Sequence, residues 1–328
     1  MGEYRFVTHA DIEDKRWLCR ALSEVNALTF SIYDAVVAAS PSFMGWYTAR
    51  PGMDPRLCQA ALAGEKLVSS LFVTVARMRL AGKMALCGIV DLVMTHPDHQ
   101  RRGLARGLLE RAIDVMAEGG VEISFLNTGQ ADPPAPPQRL YESLGYVAYE
   151  LIDRFVRRPP QAFEEEAAVV VPADERARAA FAAALGERSG WLELDERLWR
   201  WRRVERPSEY PITVRRTADG GLGVLCTGAL LVDGSPSPFN VVSDLAPSDE
   251  ASTELALRSM LAAAPSGDPI TVLCPRSDRA LAAALRATGF EPAGAEVSML
   301  RPIAPGSERL VEQPPRSWYV SVESVVVV

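Results

Sequence analysis

Apolar and polar positions along the chain follow two periods, and the switches between them mark out the elements. Residues 4–9 (YRFVTH) read as a short strand, and residues 10–30 carry the capped, amphipathic spacing of a helix. A second helical stretch is predicted over residues 32–39, then a loop at 41–55 (PSFMGWYTARPGMDP) dense in aromatics, proline and glycine. Residues 66–80 (KLVSSLFVTVARMRL) and 84–95 (MALCGIVDLVMT) form a hairpin-like pair around a Gly-containing turn. After PDHQRRG, residues 104–118 set Leu104, Leu108, Ala112, Val115 and Met116 on one helical face, ending at Gly119-Gly120. A strand over 121–129, a stiff ADPPAPP loop, a short helix over 138–145 and a closing strand over 147–157 follow.

The stretch RPPQAFEEEAAVVVPADE, with three prolines and an acidic triplet, reads as a linker. Beyond it come a helix (176–186), a Trp/Arg segment (LWRWRR), three strands (212–218, 223–234, 239–245) and a helix (253–264). A strand (270–274), a helix (278–289) and a strand (295–303) complete the second half. The expected plan is a domain over 1–158, a linker over 159–175, a second domain over 176–303 and a tail over 304–328 with a terminal strand.

At 328 residues the chain suits two domains, and 48% hydrophobic with 23% charged residues excludes a disordered or coiled-coil chain. No apolar run nears the ~18 residues a membrane helix needs. The first residues lack a basic-then-apolar signal pattern, so a soluble, cytoplasmic protein with no membrane partner is expected. A net charge of −7 opposes a nucleic-acid partner. The five cysteines are scattered without a CxxC and read as reduced thiols. His96 and His99 are spaced HxxH around Pro97 with no third ligand, so no metal site is expected.

The stretch VDLVMTHPDHQRRGLARGLLERA (90–112) joins a strand to a helix through a basic, Gly-containing turn. Such a turn points the backbone N–H groups of about residues 101–105 one way at a positive helix end, an anion cradle. Gly103 allows close approach, Arg101 and Arg102 add charge, and Ala105 keeps the floor small. GxxxxGK[ST] and GxGxxG are both absent. The plainer reading is a solvated basic turn before an ordinary helix.

QRRGLA (100–105) resembles the (Q/R)xxGx(G/A) pyrophosphate loop of the Gcn5-related N-acetyltransferase (GNAT) family, and RLYESLGY (139–146) resembles its LYxxxGF signature. The resemblance covers about residues 1–157, and residues 64–105 look closer still to the enhanced-intracellular-survival type, which follows its active domain with a degenerate one. It implies an α/β (α+β) fold, two such domains in tandem, each a mostly antiparallel twisted sheet flanked by helices. Aligning ATGF (287–290) with SLGY (143–146) gives an offset of 144 residues. That offset carries Gly103 into SDLAPSDEAST, where Asp249 and Glu250 stand, and Tyr141 onto Leu285. The second copy is therefore expected to be catalytically dead. Residues 304–328 are too few for the sterol-carrier-like domain of the survival type.

The resemblance also assigns roles. Acetyl-CoA, the acyl-CoA co-substrate, would lie along Val93, Met94 and Thr95, with its pyrophosphate on Arg101, Arg102, Gly103, Leu104, Ala105 and Arg106. A backbone N–H freed where the strand splays would polarise the acetyl carbonyl. Tyr141 is expected as general acid, against a reading as a packed core tyrosine. Asp91, two and four residues before Val93 and Thr95 and on their strand face by alternation, is the candidate base, against a reading as a salt-bridged carboxylate. Asn127 and Thr128 are candidates to bond pantetheine or substrate. Phe43, Met44, Trp46 and Tyr47 form a substrate lid or pack on the core, and Trp199 and Trp201 read as packing. The expected activity is transfer of an acetyl group to a primary amine of a small molecule by direct attack, in a monomer or homodimer. The alternatives are O-acyl or other acyl transfer, and a non-catalytic acyl-CoA-binding module.

Overall fold

The computed structural model describes residues 4–31, 35–37, 39–131, 133–158, 166–186, 188–232, 235–265, 267–312 and 318–319. The first half runs β1 (Tyr4–Thr8), α1 (Lys15–Phe30), β2 (Ala35–Val37), α2 (Pro41–Thr48), β3 (Gln59–Ala63), β4 (Lys66–Leu80), β5 (Lys83–Thr95), α3 (Leu104–Glu118), β6 (Ile123–Gly129), α4 (Pro136–Ser143) and β7 (Val147–Arg157). The second runs β8 (Val169–Val170), α5 (Glu175–Leu185), α6 (Glu196–Arg203), β9 (Ile212–Arg216), β10 (Leu222–Val232), β11 (Ser235–Ala246), α7 (Thr253–Ala262), β12 (Ile270–Pro275), α8 (Arg279–Ala287) and β13 (Glu291–Pro302).

Local chemistry sets these boundaries. Asp14 caps α1 by accepting from the Trp17 N–H, and the β4–β5 turn uses Ala81 and Gly82 with φ of 46° and 76°, as a two-residue hairpin loop requires. Residues 41–48, expected as loop, are helical because Ser40 caps the segment through the Phe43 N–H and Pro41 suits its first turn. Of the helix expected over 32–39, residues 35–37 instead form a strand that pairs with β10; residues 32–34 and 38 lie outside the described residues. The latter part of the expected linker contributes β8, which pairs with β9.

One 13-stranded sheet unites the chain, in the order β1-β3-β4-β5-β6-β13-β7-β12-β11-β10-β9-β8, with β2 on β10. Pairing is antiparallel except at β5–β6 and β11–β12. The order hairpin, helix, parallel strand, helix, closing strand occurs as β4–β5, α3, β6, α4, β7 and again as β10–β11, α7, β12, α8, β13. The closing strands are exchanged: β13 lies between β6 and β7, and β7 lies between β13 and β12. Both neighbours of β7 thus come from the second half, and among the described residues the terminal segment is neither of them. Of that segment, residues 318–319 are described and 320–328 lie outside the described residues.

Helices cover both faces of the sheet. α3 packs Leu108, Leu109, Ala112 and Met116 against Leu71, Val73 and Leu126 in a core that also receives Tyr141 and, from β13, Val297 and Met299. On the opposite face Leu22, Val25, Met44 and Phe72 share a core with Tyr210 and Val241 of the second half.

Candidate active site

The turn before α3 is shaped by alternating backbone signs. Arg101 has φ 58° and Gly103 φ 78°, with Arg102 between them at negative φ, so successive N–H groups converge on one side. Gly103 caps α3 without a side-chain bond, and a Cβ at this position would enter open space. Among the described residues, no hydrogen bond ties up the N–H groups of residues 101–106. Arg102 is held beside them, donating to the Tyr4 hydroxyl and the Asp98 carbonyl, both at 2.9 Å. Arg101 is exposed, and Arg106 donates to Ser143 Oγ at 2.7 Å, tying α3 to the end of α4. Leu104 is buried in the α3-side core and Ala105 is half-buried.

Next to the cradle the sheet opens. β5 and β6 pair only at Cys87–Ile123, Gly88–Ser124 and Ile89–Phe125; beyond these, β5 runs on to Thr95 and β6 to Gly129 with no pairing between them among the described residues. The register against β4 passes from Phe72 opposite Asp91 to Ser70 opposite Met94, so Leu92 and Val93 together face Leu71. Leu92, at φ 45°, makes this bulge. The bulge overturns the expected face of Asp91. Phe72 and Ser70 share a face, so Asp91 and Met94 share it too, while Val93 and Thr95 fall on the other.

On its own face Asp91 is engaged. Its Oδ2 accepts from the Tyr47 hydroxyl at 2.8 Å and from Arg50 Nη2 at 2.6 Å, while Oδ1 is buried with no partner. Burial pushes the Tyr47 phenol well above its ordinary range, opposed by Arg50 and reinforced by Asp91. Burial pulls the Arg50 guanidinium down, and Asp91 together with Tyr47 outweighs it, holding the group above its ordinary value. Phe43, Met44 and Tyr47 are buried in the α1–α2 core, and Trp46 stacks on Trp201 at 4.1 Å, so of the two readings of these aromatics the structure has packing on the core. Trp199 is buried in a core of the second half.

Tyr141 is buried in the α3-side core, edge-on to Tyr146 at 6.0 Å, and so stands on the Val93 side of the wedge. Thr95 Oγ1 bonds Ser69 Oγ at 2.9 Å. Asn127, facing Asp91 across the wedge, accepts from Ser298 Oγ on β13 at 2.6 Å; Thr128 is half-buried beside it. Arg50 and Glu296 beside this row went unanticipated. Arg50 sits in a stretch with no periodic signal, whereas Glu296 and Ser298 alternate with apolar Ala295, Val297 and Met299 and carry one.

In the second half β11 and β12 also part beyond Val242–Val272, but in the turn before α7 the N–H groups of Ser248, Ser252 and Thr253 are already bonded, to Asp219, Asp249 and Glu250. β11 has its own bulge at Ser243, since Leu225 faces Val242 and Val224 faces Asp244. Asp244 there accepts from Arg203 at 2.7 Å, from Ser243 Oγ at 3.0 Å and from the Tyr319 hydroxyl. Burial opposes the Asp244 charge, but Arg203 and these hydrogen bonds hold its carboxyl below the ordinary range.

The chain thus forms a large mixed sheet with helices on both faces, opened beside a helix N-terminus, and its residues 24–148 match the family model of the acetyltransferase (GNAT) domain. The chain is similar to N-alpha-acetyltransferase 30 of Xenopus laevis, 29% identical over 101 residues, covering 31% of this chain and 35% of that protein. It is 38% identical over 74 residues to the [ribosomal protein bS18]-alanine N-acetyltransferase of Escherichia coli K12, covering 20% of this chain and 49% of that one. The chain thus spans between a third and a half of these relatives' length. Two solved structures share the fold. A GCN5-related N-acetyltransferase from Anabaena variabilis has a TM-score of 0.64 at 13% identity, over 93% of this chain and 74% of that one. Saccharomyces cerevisiae N-myristoyltransferase with bound myristoyl-CoA has a TM-score of 0.68 at 11% identity, over 92% and 79%. Among the described residues, no helix is long and apolar enough to cross a membrane.

Proposed function

We propose that the chain is an acyl-CoA-dependent N-acyltransferase, moving an acetyl group from acetyl-CoA to the primary amine of a small molecule by direct attack. The observation that carries this reading is the junction of β5 and α3, where unpaired N–H groups around Gly103 adjoin a wedge between two parallel strands. An anion fits the cradle because the donors converge and no Cβ fills the space, and an extended arm fits the wedge. The N–H groups of residues 101–106, with Arg101 and Arg102, hold pyrophosphate; Val93, Met94, Thr95 and Asn127 line the arm. A backbone N–H at the bulge donates to the acyl oxygen as it gains charge. Tyr141, on the far side of the wedge from Asp91, donates its proton to the departing sulfur. A phenol near pKa ~10 is matched to a thiol near ~8.5 for this transfer. Asp91 offers its unpartnered Oδ1 to the acceptor.

We further read the second half, residues 176–303 after a linker over 159–175, as a degenerate copy of the first (1–158), in the manner of the survival-type proteins. The recurring element order and the second bulge support this, as do Asp249, Glu250 and Leu285 where the first half has cradle and acid. Free Cys19, Cys58, Cys87, Cys226 and Cys274 suit a reducing cytoplasm. A second acceptor class, the N-terminal amine of a peptide, is favoured by the names of the two curated relatives.

Thiol release from acetyl-CoA, measured over small amines and short peptides, tests the reading and separates the acceptors. Tyr141→Phe is expected to lower kcat by about 10²–10⁴-fold with the acetyl-CoA KM unchanged. Undiminished turnover in that variant removes Tyr141 as the acid, and no thiol release with any amine overturns the activity.

A further inference from the structure

The exchange of closing strands brings a carboxylate of the second half beside the end of β6, the strand that forms one wall of the wedge. Glu296 of β13 lies opposite Gly129 on β6 and Ile152 on β7; two residues on, Ser298 lies opposite Asn127 and Glu150. Residues directly opposite on paired strands share a face, so Glu296, Ser298 and Asn127 stand together, as the Ser298–Asn127 hydrogen bond also requires. That face is the one carrying Asp91. Ile89 and Phe125 are the last paired residues of β5 and β6, and Asp91 and Asn127 follow each by two.

Glu296 is half-buried, yet its Oε2 is shut off from solvent, and among the described residues nothing donates to it. A buried acceptor without a donor is costly unless a ligand supplies one. Asp91 also has a buried oxygen without a donor, Oδ1, but its Oδ2 already receives Tyr47 and Arg50.

We propose, resting on the acyltransferase reading, that Glu296 is a catalytic residue of the first half's site, holding the acceptor's ammonium group and taking its proton. The ammonium N–H bond breaks, its proton goes to the Glu296 carboxylate and then to water, and the freed lone pair forms the N–C bond. As the C–S bond breaks, the nitrogen's second proton is lost and the sulfur is protonated by way of Tyr141. Burial, opposed by Arg154, pushes the Glu296 carboxyl up to about 7, so it accepts a proton near neutrality. The charged group that bears on it is Arg154 of β7, and Glu150, opposite Ser298, stands on the same face of that strand.

The test uses the full chain, comparing Glu296→Gln with the unaltered protein in amine-dependent thiol release and in the thermal shift given by acetyl-CoA. A protonated Glu296 takes no proton, so kcat of the unaltered protein should fall as pH drops through about 7. Glu296→Gln should lower kcat by about 10²–10⁴-fold and erase that acid limb, while the acetyl-CoA thermal shift persists. Glu296→Asp, which keeps the carboxylate one carbon short, should recover part of the rate together with the limb, a rescue that a merely structural role does not give. Glu296→Gln turning over within twofold, or keeping the limb, overturns the inference and leaves the acyltransferase reading intact. An unaltered chain that neither binds acetyl-CoA nor releases thiol overturns both.

Discussion

Arg50 and Asp91 show how a single residue constrains the reading of its own mutation. Their side chains are 5% and 10% exposed, and Asp91 is the ion-pair partner of Arg50. Asp91→Asn would leave a buried guanidinium without its counter-charge, a loss of about 3–5 kcal/mol. That is comparable to the whole stability of a marginal domain, so the variant's activity would report unfolding as much as chemistry. Urea unfolding should show the loss, and the double change Arg50→Met with Asp91→Leu should restore most of it, because an apolar pair removes both charges together. A stability unchanged in Asp91→Asn would mean the ion pair is not what holds α2 to β5. The charged residue itself was legible as a candidate, but its face was not. A bulge adds one residue without breaking the apolar run LVMT, so alternation counted from Asp91 lands on the wrong side after Leu92.

At the scale of elements, the strand–turn–helix unit around Gly103 was legible because its chemistry is local. The turn residues, the helix start and the opening of the strand pair all follow one another in sequence. α2 was not legible, since a run of Pro, Gly and aromatics reads as loop. Its helix rests on the Ser40 cap and on the stack of Trp46 over Trp201, whose indole N–H also donates to the Trp46 carbonyl at 3.0 Å. The same locality separates the two bulges. Each holds a carboxylate bonded by an arginine and a tyrosine, but the first leads to the open N–H groups around Gly103, whereas the second leads to a turn whose Ser248, Ser252 and Thr253 N–H groups are taken by Asp219, Asp249 and Glu250. Calorimetry is therefore expected to find one acetyl-CoA per chain. Gly103→Glu should abolish it by placing a carboxylate in the cradle, and also cost about 1–2 kcal/mol of stability through the left-handed backbone. Two molecules per chain, or binding that survives Gly103→Glu, would place the site elsewhere.

For the whole molecule, the exchanged strands make the halves interdependent. An offset of 144 residues marks β7 and β13 as counterparts, but two closing strands of similar apolar pattern do not reveal which neighbour each takes. The structure sets β13 on β6 from Glu296–Gly129 to Pro302–Ile123, and β12 on β7 from Ile270–Arg157 to Pro275–Ile152. A chain ending at Arg158 loses both partners. β6 is left with a bare edge and β7 with two, and the α3-side core loses Val297 and Met299. Long apolar strands with open edges pair with other chains. The truncated chain is thus expected to aggregate, or to dimerise with each copy's β7 supplied to the other, as size-exclusion chromatography would read. Amine turnover should fall even where some acetyl-CoA binding survives, because the cradle at Gly103 belongs wholly to the first half whereas Glu296 and Ser298 do not. A soluble, monomeric first half turning over the same amine at full rate would show that β7 can close on β6 by itself, and that the second half builds neither the sheet nor the acceptor site.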